Sequence, residues 1–151
     1  MGNHYYIISE DKFHQDKTKD PAVWKFVEGT GIDLNSESIS KIPSVADIRK
    51  AITDFGLNIK SESREATRLE LNISDNKSGD FWLIFTDMTD ENENSAFMFE
   101  IGRGSNYESV ITFIKFLNRS FGNFLFYCDS GSMSLITPDK DFDMILNEMS
   151  K

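Results

Sequence analysis

The sequence predicts a single α+β domain that spans residues 1–151 and is built on a mostly antiparallel sheet. Short apolar segments follow one another with turn residues between them, an order that favours consecutive hairpins. A few segments instead repeat apolar residues every three or four positions, as amphipathic helices do. Thirteen phenylalanines indicate an aromatic-rich core. We therefore expect about five to six strands, with three to four helices packed mainly on one face.

The first third of the chain predicts one strand and two helices. Residues 4–9 are aromatic and β-branched, which predicts the first strand. Residues 20–29 begin with an Asp-Pro pair that is typical of a helix start, so a short helix is expected there. The clearest helix covers residues 43–56, because Ser44 can cap it and Gly56 can end it.

The middle of the chain predicts strands. Residues 68–74 alternate apolar and polar side chains, as a half-exposed antiparallel strand does, and a further short strand is possible at 57–61. Residues 81–87 are apolar on both faces, which indicates a central strand. A hairpin that joins this strand to residues 95–101 would place the acidic segment 86–94 at its tip.

The last third predicts a helix, a hairpin and a final helix. Residues 107–122 carry an apolar stripe at helical spacing, and Gly122 ends the pattern. Two apolar segments around Gly131 predict a tight hairpin. Thr137 is then expected to cap the last helix, with Pro138 at its first position.

The segment "EIGRGSNYES" (100–109) raises the question of a phosphate site, because two glycines precede a helix start. The third glycine of a dinucleotide motif is missing, since Tyr107 occupies its position, and no P-loop lysine follows. Ser105 and Glu108 have the spacing of a capping box, so the glycines are expected to turn the chain. A small-ligand or phosphate-binding protein, or an enzyme, that uses the turn Gly102–Asn106 remains the alternative.

No catalytic, cofactor or metal site is predicted. His4 and His14 lack zinc-binding spacing, and the acidic segment fails the spacing of a calcium loop. Cys128 has no second cysteine to pair with, which is consistent with a reducing cytoplasm. Neither a secretory signal nor an apolar run of membrane-spanning length is evident, so a cytoplasmic location is expected.

The charge of the chain points towards a basic protein partner. The net charge is −9, and residues 71–100 contribute −6 of it. A field of this sign repels nucleic acid and anionic membranes and attracts basic proteins. Trp82 or Tyr107 could anchor such a partner, although the core is the commoner place for a tryptophan. The acids expected to contact it are Asp87, Asp90, Glu91 and Glu93.

The chain resembles the small, acidic, α+β immunity proteins of bacterial polymorphic toxin systems. The resemblance rests on size, charge, the expected order of elements and the segments "FWLIFTDMTDENENSAFMFEIGRG" and "FGNFLFYCDSGSMSLIT". It implies a non-catalytic protein that blocks the active site or the nucleic-acid groove of a toxin domain, such as a nuclease. An adaptor subunit of a larger assembly is a further alternative.

Overall fold

The computed structural model describes residues 4–10, 42–75, 79–96 and 98–150, which form seven strands and three helices. The helix expected at 20–29 and His14 lie outside the described residues. In chain order the elements are β1 (Tyr5–Ser9), α1 (Val45–Asp54), β2 (Asn58–Glu65), β3 (Arg68–Ser74), β4 (Phe81–Phe85), β5 (Met98–Ile101), α2 (Tyr107–Phe121), β6 (Phe124–Cys128), β7 (Met133–Ile136) and α3 (Phe142–Met149).

All seven strands belong to one antiparallel sheet with the order β2-β3-β4-β5-β1-β6-β7. The predicted α+β class is confirmed, and so is the β4–β5 hairpin. The sheet has one strand more than expected, because the possible strand at 57–61 is real and continues to Glu65. The strand is hard to recognise in the sequence, because β2 lies at the edge of the sheet and nearly all of its residues are exposed. Polar side chains on an edge strand discourage pairing with other chains.

One face of the sheet carries the helices and the main core. Strand residues such as Leu71, Leu83 and Phe99 form one buried cluster with helix residues such as Ile48 and Phe113. The apolar stripe of α2 is fully buried, as its spacing predicts; its members are Val110, Phe113, Ile114, Leu117 and Phe121. None of the described helices is long and apolar enough to cross a membrane.

Helix α2 begins one residue later than the predicted capping box requires. The side chain of Asn106 caps the helix and accepts a hydrogen bond from the Ser109 amide at 3.0 Å. The hydroxyl of Ser105 is already engaged, because it donates to the Gly102 carbonyl at 2.6 Å and accepts from the Trp82 amide at 3.0 Å. The predicted Ser105–Glu108 box is therefore wrong, whereas Gly122 ends the helix with φ 74°, as expected.

The last helix also starts later than predicted. Asp141 caps α3, because its carboxylate accepts from the Met144 amide at 2.8 Å. Thr137 instead donates its hydroxyl to Asp139 at 2.7 Å within a turn that precedes the helix. Thr137 and Pro138 therefore belong to the turn before the helix. Asp141 supplies the cap, because its carboxylate reaches a backbone amide of the first helical turn.

The opposite face of the sheet divides into two regions. Over β1, β6 and β7 it is apolar, with a second buried cluster made of Ile8, Leu125, Met133 and Leu135. Over β3, β4 and β5 it is mixed, because Trp82 and Ile84 lie beside the polar side chains of Glu70, Asn72 and Glu100. This second region has no described helix over it, and we call it the helix-free face.

Candidate functional site

The helix-free face holds an open cavity of about 490 Å³. Strand alternation explains its composition, because every second residue of β3, β4 and β5 points to this side of the sheet. An aromatic and aliphatic floor is therefore combined with charged walls. The lining residues are His4, Arg68, Glu70, Trp82, Ile84, Glu100, Gly102 and Arg103.

The floor depends on close contact between Trp82 and the glycine turn. A Cβ atom at position 102 would lie 2.7 Å from the Cβ of Trp82, closer than real Cβ atoms come. Gly104 has φ +83°, a conformation that other residues rarely adopt, and its Cβ position is 3.9 Å from the indole ring. The two glycines of "EIGRG" therefore let the turn run close beside Trp82.

The backbone amides of this turn are largely used within the protein. The Gly102 amide donates to the Trp82 carbonyl at 2.9 Å, and the Asn106 amide donates to the Asp80 carbonyl at 2.9 Å. The Ser105 amide donates to the Gly102 carbonyl at 3.3 Å. An anion at this turn would have to compete with these bonds, which weakens the case for a phosphate cradle built on Gly102–Asn106.

Two glutamates flank Ile84 across the floor of the cavity. Glu70 and Glu100 both pair with Ile84 in the strand register, one from β3 and the other from β5. Glu100 Oε1 lies 2.7 Å from His4 Nδ1, and Glu70 Oε2 lies 3.3 Å from Arg68 Nη1. The glutamate side chains are only 24% and 33% exposed, so their charges are less screened than those of surface residues.

Tyr6 lies on β1 opposite Glu100 in the strand register, next to the residues that line the cavity. Burial raises the pKa of its phenol, and the negative charge of Glu100 and of Asp129 raises it further. The phenol consequently keeps its proton at neutral pH. It adds a neutral polar group beside the Glu100 carboxylate.

The predicted acidic tip is a loop anchored to the body of the protein. Residues 86–94 do not project as a free two-stranded arm, because three backbone hydrogen bonds tie the β4–β5 connection to its neighbours. These bonds run from Met88 N to Thr67 O (2.9 Å), from Ala46 N to Glu91 O (2.8 Å) and from Ala96 N to Pro43 O (3.0 Å). The side chains of Met88 and Ala96 are buried.

Glu91 belongs to the anchoring of this loop. Arg49 Nε donates to Glu91 Oε1 at 2.6 Å, and Arg49 Nη1 donates to Glu62 Oε2 at 2.7 Å. Burial alone would lower the pKa of Arg49, but hydrogen bonds to the two glutamates outweigh it and raise the pKa above its usual value. The carboxylate of Glu91, which the sequence suggested as a partner contact, is thus engaged within the chain.

The other three acids of the loop are presented to solvent. Asp87, Asp90 and Glu93 are exposed, and none of them forms an ion pair with another described residue. Asp90 instead accepts a hydrogen bond from the Asn92 amide at 2.9 Å, which shapes the loop locally. Asp87 adopts a left-handed backbone conformation with φ 56°. Three unpaired negative charges therefore sit on a segment whose backbone is fixed.

Tyr107 and Trp82 lie on opposite sides of the sheet and cannot form one anchor. The Tyr107 ring packs 5.0 Å from the ring of Tyr5 and 6.2 Å from that of Phe126, on the helix side. Burial raises the pKa of its phenol. Trp82 is the anchor candidate that remains on the helix-free face, and the five residues of chain to Asp87 allow a separation of at most roughly 16 Å.

Cys128 is the last residue of β6. It is buried, and its Sγ lies 3.1 Å from Ser130 Oγ. Within the described residues no three His, Cys, Asp or Glu side chains are placed to hold a metal ion. Comparisons with models of protein families, with curated proteins and with solved structures found no match to this chain.

Only part of the cavity is evident in the sequence. Trp82 and the turn Gly102–Asn106 are candidates from the sequence, whereas Glu70 and Glu100 are not, since they lie 30 positions apart and are brought together only by the β3–β4–β5 register. Strand alternation does place Glu70 on the polar side of its strand. Together with the β3–β4 register, this alternation places Glu70 on the same face of the sheet as Trp82.

Proposed function

We propose that this chain is a non-catalytic module that binds a basic protein through the loop 86–94. The observation that supports the proposal best is the group of exposed, unpaired carboxylates of Asp87, Asp90 and Glu93. The loop is held by backbone bonds and by the Arg49–Glu91 ion pair, so little ordering would be needed on binding. Unpaired charges on a pre-organised surface favour rapid encounter with a partner of opposite charge.

We further propose that the partner is a bacterial toxin domain and that the chain acts in the cytoplasm as its immunity protein. The support is the resemblance to such proteins in size, charge and element order, together with the strongly acidic surface. A nuclease-like toxin carries a cationic groove for its substrate. A protein with three exposed carboxylates on a fixed loop could occupy that groove in place of phosphates.

The gene beside the one that encodes this chain provides the test. Its product is expressed in bacteria with and without this chain, and survival is measured. We expect the neighbouring product to be toxic alone and harmless in the presence of this chain. The triple variant Asp87→Asn/Asp90→Asn/Glu93→Gln should bind the toxin about tenfold more slowly at low salt, with a smaller difference at high salt.

A matched control separates the loop from overall charge. The variant Glu65→Gln/Glu108→Gln/Asp143→Asn removes the same number of exposed acids at other places on the surface. It should associate nearly as fast as the natural chain. Equal slowing in both triple variants would refute a role for the loop, and a neighbouring product that is harmless alone would refute the immunity function.

The alternative of a phosphate-binding protein or enzyme rests on the turn Gly102–Asn106. Three of the amides that such a site would use already donate within the protein, so the acidic loop is the better supported site. A rise in melting temperature on addition of a nucleotide would favour the alternative. Co-purification with several housekeeping subunits would favour the adaptor instead.

A further inference from the structure

We propose that the cavity on the helix-free face binds an arginine side chain of the protein partner. In this arrangement the guanidinium lies against the Trp82 indole and donates hydrogen bonds to Glu70 and Glu100. The inference relies on the proposed function only for the origin of the arginine in a basic protein. The site itself lies apart from the loop 86–94 and can be tested without the partner.

The two carboxylates are placed on either side of a shared neighbour. Glu70 on β3 and Glu100 on β5 both pair with Ile84 on the strand between them. Adjacent strands lie about 4.8 Å apart, so the two backbones are separated by roughly 10 Å. Side chains of this length can lean over Ile84 from both sides and approach one planar cation between them.

Each carboxylate retains an oxygen that accepts no hydrogen bond from a described residue. Glu100 uses Oε1 with His4, and Glu70 uses Oε2 with Arg68. The Arg68 contact of 3.3 Å is long for a charge-assisted hydrogen bond. Glu100 Oε2 and Glu70 Oε1 are consequently available to a ligand that donates several hydrogen bonds.

The indole of Trp82 supplies the third element of the site. The ring is partly exposed and lies along the cavity floor beside Gly102 and Gly104. A cation over the face of tryptophan is attracted by its π system, and guanidinium also stacks on it as a flat group. Guanidinium has five N–H donors in one plane, whereas lysine has a single strongly hydrated ammonium, so arginine suits two carboxylates better.

The basic groups of the lining that would oppose a cation are Arg68, Arg103 and, when it is protonated, His4. Arg68 is partly compensated by Glu70, and Arg103 lies exposed at the rim without an ion pair in the described part of the chain. Their presence makes a carboxylate ligand the competing possibility. The lining holds two glutamates and two arginines, so the cation is favoured by the placement of the glutamates on both sides of Ile84.

The experiment is a titration followed by nuclear magnetic resonance of the ¹⁵N-labelled full chain. The reporter is the indole Nε1–H of Trp82, assigned by its loss in Trp82→Phe. The probes are Nα-acetyl-arginine amide, Nα-acetyl-lysine amide and benzoate. We expect saturable shifts with the arginine probe, a dissociation constant on the order of millimolar and weaker binding of the lysine probe by about fivefold or more.

Glutamine variants connect the binding to the two carboxylates. Glu70→Gln and Glu100→Gln should each weaken binding of the arginine probe by about threefold to tenfold. Glu65→Gln, which removes an equal charge from β2 outside the cavity, should leave it unchanged. The amide spectrum shows at once whether each variant is folded, and Glu70→Gln remains informative if Glu100→Gln is not.

Three results would overturn the inference: no saturable shift with the arginine probe, saturation by benzoate instead, or equal weakening in Glu65→Gln. None of them would affect the loop test, which measures association of a toxin with variants at positions 87, 90 and 93. Conversely, a chain whose neighbouring gene product is harmless could still bind the arginine probe. Failure of the proposed function and failure of this site are therefore distinguishable.

Discussion

Gly102 lies so close to Trp82 that a Cβ atom at position 102 would be 2.7 Å from the Cβ of the tryptophan. The contact is between β-carbons next to the backbone, so a rotamer change cannot relieve it. The absence of a side chain at position 102 therefore lets the turn between β5 and α2 lie against Trp82. This contact forms the floor of the cavity. The glycine spacing of "EIGRG", which resembles a phosphate motif in sequence, has a packing role in the structure.

Gly102→Ala should destabilise the protein by about 1–3 kcal/mol, because β4 and the turn must move apart to admit the methyl group. The free energy of unfolding is measured by urea denaturation. Gly56→Ala is the comparison, since a Cβ there meets nothing within 4 Å and only the backbone conformation at φ +82° is unfavourable. Unaltered stability of Gly102→Ala would show that the turn adapts easily.

Asn106→Ala should destabilise the protein by about 1 kcal/mol, because α2 loses the side chain that accepts from the Ser109 amide. Glu108→Gln should change stability far less, since the predicted capping box is not formed. Both values come from urea denaturation monitored by far-ultraviolet circular dichroism. The opposite order, with the larger loss in Glu108→Gln, would restore the capping box that the sequence indicated.

Asp80 should contribute a pH-dependent part of the stability. A hydrogen bond from Lys60 Nζ at 2.8 Å lowers the pKa of Asp80 below its ordinary value of 3.8. A carboxylate with a lowered pKa stabilises the folded state above the unfolded pKa, and this contribution disappears as the pH falls through the folded pKa. The natural chain and Asp80→Asn should therefore differ in stability at neutral pH, and the difference should disappear as the pH falls through the lowered pKa of Asp80.

Unfolding by urea over a series of pH values measures this convergence. Lys60→Met should reproduce it, because it removes the group that lowers the pKa while leaving the carboxylate in place. Glu65→Gln serves as the control, since Glu65 is an exposed acid without an ion pair among the described residues. A difference between the natural chain and Asp80→Asn that persists unchanged into acid would contradict the assignment.

Local patterns in the sequence were sufficient for most of the fold. The apolar residues that alternate in 68–74 and those that form the helical stripe of 107–122 are both buried, as their periods predict. Caps were less predictable, because the side chain that reaches a free amide depends on competing hydrogen bonds, as Ser105 shows. The edge strand β2 was only a possible strand, since polar side chains conceal its period.

The cavity could not be predicted, because it depends on which strands are neighbours. β1 lies between β5 and β6 in the sheet, although both of these strands are far from β1 in the sequence. His4 meets Glu100 only through that placement, at a distance of 2.7 Å. The ion pair of Glu91 could not be predicted either, because its partner Arg49 is 42 positions away in the sequence. Composition cannot separate an acid that anchors a loop from one that is free.

Removal of the Arg49–Glu91 ion pair should loosen the loop 86–94. Arg49→Met and Glu91→Gln should each lower the free energy of unfolding, and a double-mutant cycle should give a coupling of about 1 kcal/mol for this half-buried pair. Amide hydrogen exchange in the loop should accelerate in both variants. Urea denaturation and exchange rates supply the two measurements.

The remaining acids of the loop provide the contrast. Asp87→Asn, Asp90→Asn and Glu93→Gln should each change stability by less than about 0.5 kcal/mol, because these side chains are exposed and form no ion pair with a described residue. Exposed carboxylates that add little to folding are available to a partner, whereas Glu91 is needed within the chain. Comparable destabilisation by all four substitutions would mean that the whole acidic segment is structural, and the loop would then lose its support as a binding surface.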